Sequence, residues 1–337
     1  MNEQTVRVDV AQIARVVAAA LQRSGCDGEN AAAVAEVVAA AERDGCASHG
    51  VFRLGGYLAA LRSGKVDGAA RPVVTRIAPG VLRVDARGGF APLAMAAARA
   101  HLAPLARTQG VAVAALVDAH HFSALWADVE PLAAEGLVAL CMTSYMPAVA
   151  PAGARVPFFG TNPMAFAWPR PDGTSLIVDQ ASAAMARGEV MLAAREGRTL
   201  PPGVGVDASG AATTDPAAVL KGAILPFGGH KGSGIALMVE LLAGALIGQP
   251  FSVETAEADN KDGGPPRGGI FLLALDPARF GDPEGWLAHA ELFLSRLGAL
   301  DGVRLPGDRR AANRARSEAE GVVLPAQLWA QAQSAAG

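Results

Sequence analysis

The sequence predicts an α/β or α+β protein, and three observations carry that reading. Apolar residues recur at three- and four-residue spacing near the amino terminus, short apolar runs stand between glycines or polar turns, and helical stretches fall between several of those runs. By itself such alternation suggests a doubly wound parallel sheet.

In chain order, Ile13, Val16, Val17 and Leu21 and then Val34, Val37 and Val38 mark two helices that each bury one face, with SGCDGEN as the turn between them. A further helix is expected over 48–61, where Ser48 is a favoured N-cap and VFRLGGYLAAL is largely apolar, although Gly55 and Gly56 weaken it. The runs GVLRVDA (80–86), GVAVAALV (110–117), GLVALCMTS (136–144), SLIVDQA (175–181) and GGIFLLAL (268–275) read as strands. Helices are expected over 91–109, 123–135, 230–247 and 283–297. The stretch SVETAEADNKDGGPPRGG (252–269) reads as one long surface loop, and no internal repeat or low-complexity linker interrupts the chain.

Composition narrows the function classes. The 337 residues are 51% apolar and 18% charged, enough for two packed cores. The net charge of -3 and the lack of a basic tract argue against nucleic acid as a partner. Cys26, Cys46 and Cys141 have no CxxC spacing, which fits neither a disulfide framework nor a zinc site. The start MNEQTVRVDVAQIARVVAAAL lacks a signal-peptide pattern, and eighteen apolar residues never run together, so a soluble cytoplasmic protein without a membrane partner is expected.

Several short stretches could carry chemistry. In RDGCASHGVFR (43–53), a helix capped by Ser48 would place His49 and Arg53 on one face near its positive end. An arginine there can hold a carboxylate through two hydrogen bonds while the histidine passes a proton beside it. On these residues alone the plainer reading, a capped helix with two solvated side chains, is preferred. In DAHHFSALW (118–126), His120 and His121 follow a strand, where α/β proteins bind ligands. Adjacent histidines point apart and do not make a metal site; ligand contact and a plain loop role both stand.

The stretch LPFGGHKGSGIALMVELL (225–242) is the strongest local signal. Its glycines free backbone N–H groups ahead of a helix, and Lys231 adds a positive charge, so it is expected to hold an anion, a phosphate above all. It fits neither a Walker loop nor a G-x-G-x-x-G turn, and glycines for close helix packing are the alternative. Asp179 ends an apolar strand and either caps a turn or orients a histidine.

Taken together, RDGCASHGVFRLGGYLAALRSGKV, HHFSALWADVEP, FFGTNPMAFAWP, TTDPAAVLKGAILPFGGHKGSGIALMVELLAGAL and VRLPGDRR resemble the malate and L-lactate dehydrogenase family that is unrelated to the Rossmann enzymes. The resemblance runs over most of the chain. The doubled histidine and GVGVDASGAATTDP are similar to the branch of Δ1-piperideine-2-carboxylate and Δ1-pyrroline-2-carboxylate reductases.

What the resemblance implies is a homodimer with a non-Rossmann NAD(P)-binding domain (119–304) on a largely antiparallel sheet. A helical and mixed substrate and dimerisation domain (1–118 with 305–337) would accompany it. It implies NADPH-dependent hydride transfer, with NADH as the alternative cofactor, to C2 of a small cyclic imine acid, giving L-pipecolate or L-proline. His49 would donate the proton with Ser48 and Asp179 in a relay behind it, and Arg53 would clamp the carboxylate. His120, His121, Phe122, Ser123, Ala124, Thr143, Ser144, Gln180 and Ala181 would line the cofactor. His230 and Lys231 would meet its phosphates, and Pro306, Gly307 and Asp308 would close the site. Thr161 would touch substrate or nicotinamide. No metal is implied.

Hydride arriving at C2 makes the ring nitrogen basic, which calls for a positioned acid. A carboxylate behind His49 and a helix N-terminus beside it would act on its proton in opposite senses, so its resting state stays open at this stage. Two departures from the family bear on specificity: Gln180-Ala181-Ser182 replaces the usual Met/Leu-Ala-Thr, and Ala152 stands where the imine-reductase branch has histidine. Because the same histidine and arginine would serve a carbonyl, a 2-oxo acid reductase is the alternative enzyme. A catalytically silent nucleotide-binding protein is the alternative outside enzymes.

Overall fold

Successive side chains on a strand face opposite sides of its sheet, and here both sides are covered. The computed structural model describes residues 4–337. Seven strands join in the order β2 (Val73–Ala78), β3 (Val81–Asp85), β4 (Val111–His120), β11 (Arg267–Leu275), β5 (Val138–Thr143), β6 (Met164–Pro169) and β7 (Ser175–Gln180). Only β3 and β4 run parallel; the other neighbours are antiparallel. This corrects the parallel sheet suggested by the alternation alone and agrees with the sheet the family resemblance implies. The physical reason lies in the connections. The turn between β6 and β7 is too short for a parallel crossover, and β11 returns from far along the chain to pair between β4 and β5.

On one face Ala114, Leu116, Cys141, Ala165 and Leu272 pack with α4 (Ala91–Gln109) and α5 (Trp126–Ala134). On the other, Met142 and Phe271 pack with α8 (His230–Ala243). A second core joins the two ends of the chain: β1 (Thr5–Val8) pairs with β12 (Val322–Pro325). Around them pack α1 (Val10–Arg23), α2 (Gly28–Arg43), α3 (Leu54–Arg62) and α12 (Ala326–Ala336) through Ile13, Val17, Val34, Tyr57 and Trp329. Asp9 and Asp27 cap α1 and α2, accepting the N–H groups of Ala11 and Asn30 at 2.8 and 2.9 Å. A third core gathers α6 (Arg187–Arg195), α7 (Pro216–Lys221) and the short strands β8 (Gly205–Val206), β9 (Ala212–Thr213) and β10 (Ala223–Ile224). α9 (Ser252–Ala258), α10 (Trp286–Gly298) and α11 (Asp308–Glu320) complete the chain.

Position 118/119 falls inside β4, and β2 and β3 from the preceding segment are hydrogen-bonded into the same seven-stranded sheet. Two expectations change. The stretch 252–269 is not one loop: it opens with α9 and ends in β11, and Gly264, Pro265 and Pro266 are buried. The helix expected over 48–61 starts only at Leu54, after two 3₁₀ turns, Ala47–His49 and Val51–Arg53, divided at Gly50. Ser48 caps nothing, because the break at Gly50 leaves no helix for it to begin.

A buried carboxylate ties these parts together. Asp44 has a side chain with no exposure and accepts from Arg314 at 3.0 and 2.6 Å and from Arg43 at 2.7 Å. Arg314 also reaches Glu130 of α5 at 2.8 Å. Removing one partner of such a cluster leaves charge uncompensated in the interior. Asp44→Ala is therefore expected to lower the unfolding free energy by roughly 3 kcal/mol, and urea denaturation followed by circular dichroism measures it. A change below about 1 kcal/mol, the scale of a surface ion pair, would show that Asp44 does not hold the helices together.

Candidate active site

A cavity of about 290 Å³ opens where the C-terminal ends of β4, β5 and β7 meet the start of α6 and the chain between α2 and α3. Ser48, His49 and Arg53 enter it from that chain; His121, Phe122, Ser123 and Ala124 follow β4. Thr143 ends β5, Thr161 precedes β6, and Asp179, Gln180 and Ala181 end β7.

The other expected residues lie off the cavity wall. His120, the last residue of β4, is buried with its Nδ1 3.0 Å from the Pro265 carbonyl oxygen. Ser144 is buried behind Thr143, whose hydroxyl donates to Gly269 O at 2.8 Å. His230 and Lys231 are exposed at the start of α8, near a separate hollow lined by Ala152, Gly228 and Gly229. In that loop the N–H groups of Lys231, Gly232 and Ser233 donate to the carbonyls of Gly228, Phe227 and Gly229, because Gly228 and Gly229 at φ 54 and 61° fold the turn back on itself. Pro306, Gly307 and Asp308 form the entry to α11, where Asp308 accepts the Leu305 N–H at 3.0 Å. The next two residues, Arg309 and Arg310, reach the cavity instead.

Sequence reasoning also missed Arg187, Gly188, Tyr145 and Trp126, all on the wall. An arginine-glycine pair soon after a strand, opening a helix, was the available signal for the first two. A methyl group at Gly188 would stand 2.8 Å from Ser48 Cβ and 3.0 Å from Arg53 Nη2, so only glycine lets α6 come this close.

The charged groups are arranged asymmetrically. Arg53 donates through Nε to Ser48 O at 2.7 Å and lies over the Phe122 ring, 4.8 Å from its centre. Neither Arg53 nor Arg187 has a carboxylate partner among the described residues. Burial lowers Arg187 from its ordinary range, with Tyr145 opposing and Arg53 adding to the shift. Two nearby carboxylates, Asp128 and Asp179, are already engaged. Asp128 lies 3.2 Å from His121 Nε2, and Asp179 accepts the Trp126 N–H at 3.0 Å. Among the described residues Asp179 makes no hydrogen bond with Ser48 or His49; burial pushes its acid up to about 6.

His49 lies beside Ser48, with Oγ 3.2 Å from Nδ1. Burial, the Arg53 guanidinium and the His121 ring hold its imidazole down to about 3, so it is neutral at neutral pH. Cys46 is no nucleophile, since burial pushes its thiol up to about 11. Among the described residues two buried wall atoms, Ser123 Oγ and Trp126 Nε1, have no partner in hydrogen-bonding geometry, with the Tyr57 hydroxyl near the first and the Cys46 thiol near the second. Such atoms await a ligand that can bond to them.

Thr161 is fixed from behind. The Asn162 side chain donates to Glu240 Oε1 at 2.8 Å and accepts the Tyr145 N–H at 3.3 Å, while Thr161 O accepts the Ser182 N–H at 2.8 Å. GTNP thus turns on a buried network that leaves the Thr161 side chain on the wall.

The His49 shift sets a pH dependence. Unfolded, the residue binds a proton near pH 6.5; folded, it does so only near 3, so acidification between those values favours unfolding. His49→Gln should lose less stability than the parent over that range in urea titrations. Equal losses would show that His49 is protonated normally in the fold.

Comparison with known proteins agrees with this architecture. The family model for malate/L-lactate dehydrogenase matches residues 8–333. The chain is 47% identical over 334 residues to a Δ1-pyrroline-2-carboxylate reductase of Ancylobacter novellus, covering 98% of each protein. It is 47% identical over 323 residues to a Δ1-pyrroline-2-carboxylate/Δ1-piperideine-2-carboxylate reductase of Pseudomonas putida, covering 96% of this chain and 94% of that one. The crystal structure of Δ1-piperideine-2-carboxylate reductase from Pseudomonas syringae pathovar tomato superposes with a TM-score of 0.93 at 46% identity, covering 98% of this chain and 99% of that one. The chain belongs to the malate/L-lactate dehydrogenase family and is an oxidoreductase.

Proposed function

We propose that this protein reduces small cyclic imine acids, Δ1-piperideine-2-carboxylate to L-pipecolate and Δ1-pyrroline-2-carboxylate to L-proline, with NADPH as reductant. One observation carries the reading: a single cavity brings a half-buried histidine together with two arginines that lack carboxylate partners among the described residues. A molecule with a carboxylate next to a basic ring nitrogen calls for that combination. The names of the relatives support the substrate class.

Arg53, held by Ser48 O and seated on Phe122, takes the carboxylate, and Arg187 adds a second positive charge. Thr161 contacts the substrate beside them. A bound nicotinamide cofactor supplies the hydride that arrives at C2. His49 gives a proton to the ring nitrogen, so that hydride and proton together turn C=N into CH–NH. Because Arg53 is one of the causes that keep His49 neutral, a carboxylate bound on Arg53 raises the proton affinity of the imidazole. The bound carboxylate thus opposes one of the causes that keep the imidazole neutral. Ser48 fixes the ring through Nδ1, and Asp179 anchors the start of α5 and with it the His121–Trp126 loop.

The cofactor fits the orphaned Ser123 Oγ and the wall formed by His121, Phe122, Ala124, Thr143, Gln180 and Ala181. Arg309, exposed beside the cavity, is placed for an added phosphate and supports NADPH over NADH. Exposed Leu237, Leu241 and Leu246 along and beyond α8, near exposed Phe158, support a homodimer. The free thiols of Cys26, Cys46 and Cys141 suit a reducing cytoplasm.

Initial rates of NADPH and NADH oxidation with the two imines, pyruvate and oxaloacetate test the reading. A clear preference for the oxo acids overturns it. His49→Ala should lower kcat by roughly 10²- to 10⁴-fold, and full turnover would remove the histidine from the chemistry. Gly188→Ala, by pressing on Ser48 and Arg53, should raise KM about tenfold or more; an unchanged KM would place the carboxylate away from Arg53.

A further inference from the structure

Glu42 lies near the end of α2 with its side chain turned inward, 5% exposed. Its Oε1 accepts the Val51 N–H at 2.7 Å, and Gly50 leaves the room for it, since a methyl group there would overlap the carboxyl. Among the described residues no cation pairs with Glu42, and that N–H is its only hydrogen-bond partner. Burying an acid without a counter-charge costs free energy, and burial pushes this one up to about 7. An apolar residue of similar size would fill the space without that cost.

What the carboxyl supplies is a fixed acceptor between His49 and Arg53. A continuous α-helix through this stretch would send the Val51 N–H to the Ala47 carbonyl. Instead Gly50 N–H takes that carbonyl at 3.1 Å, the backbone turns at Gly50 (φ -87°, ψ -145°), and Val51 N–H goes to Glu42. The turn lets Arg53 reach back to Ser48 O at 2.7 Å while His49 stays beside the Ser48 hydroxyl. Without an acceptor for Val51, a buried N–H would stand unpaired, and the segment would relax toward a helix that re-aims both side chains.

We propose that Glu42 is a positioning residue: by holding Val51 N–H it keeps the Gly50 turn in the geometry that presents His49 and Arg53 to the cavity. The proposal rests on the roles given to those two residues above. It assigns to Glu42 no contact with substrate, cofactor or reacting atoms.

Glu42→Gln keeps a carbonyl acceptor at this place, and Glu42→Met fills it without one. Steady-state kinetics on Δ1-piperideine-2-carboxylate, titration calorimetry with L-proline, and thermal unfolding would be measured for both. The Gln protein should match the parent in kcat, KM and L-proline affinity. The Met protein, at temperatures where its circular dichroism equals the parent's, should lose roughly tenfold or more in kcat and bind L-proline more weakly. A folded Met protein with parental kcat and KM overturns the proposal, as does a Gln protein as impaired as the Met one. If Glu42→Met does not fold, Gly50→Ala, which presses a methyl against the same carboxyl, should show the kinetic loss, and parental kinetics there overturn the proposal. His49→Ala assayed in parallel separates the levels. Full turnover in it overturns the proposed chemistry, whereas lost turnover in it beside a fully active, folded Glu42→Met overturns only the positioning role.

Discussion

A carboxylate with no access to water has to be met by cations, and the cations that meet Asp44 decide how the cavity is built. Arg314 comes from the far end of the chain, on the helix that brings Arg309 and Arg310 to the cavity. Its other partner, Glu130, belongs to α5, whose first residue, Trp126, is anchored by Asp179 at the end of β7. Directly after Asp44 come Gly45 and Cys46 on the wall, then Ser48, His49 and Arg53. One buried cluster therefore registers an amino-terminal segment, a carboxy-terminal helix and an edge of the sheet. The geometry of the cavity wall inherits its precision from that junction.

Around the cavity, several carboxylates serve the structure. Asp128 faces His121, Asp179 holds a backbone N–H, and Glu42, behind the wall, holds another, while Glu189 stands exposed on the wall and Arg53 and Arg187 keep no carboxylate of their own among the described residues. The resulting positive field favours an anion, and the same field, with burial, strips the proton from His49. In the proposed reaction, anion binding and the protonation of His49 are thus coupled through one residue, Arg53. The helix N-terminus that the sequence suggested beside His49 plays no part, since α3 begins only at Leu54.

Much of the fold was legible. The long strands β4, β5 and β11 bury both faces and announce themselves as apolar runs, and α4 runs between Pro92 and Gly110 as its ends imply. Strand β2 was not legible, because its residues are largely exposed at the sheet edge, and β8, β9 and β10 are too short to carry a period. Of the candidate site, Ser48, His49, Arg53, His121 and Asp179 were named from motifs and do meet in one cavity. Arg187, Tyr145 and the reach of Arg310 were hidden, as each depends on a contact between segments far apart in sequence.

The sequence by itself determined the element types, the family resemblance and the residue kinds the chemistry needs, because periodicity, caps and motif order are local properties. Only the tertiary structure decided that Ser48 serves His49 rather than a helix, that Lys231 sits away from the cavity, and that the carboxylate touching a cavity histidine is Asp128. In RDGCASHGVFR a capped helix is the sound local reading. It fails because a buried acceptor on the preceding helix takes the Val51 N–H, and no count of residues within the stretch reveals an acceptor that lies outside it.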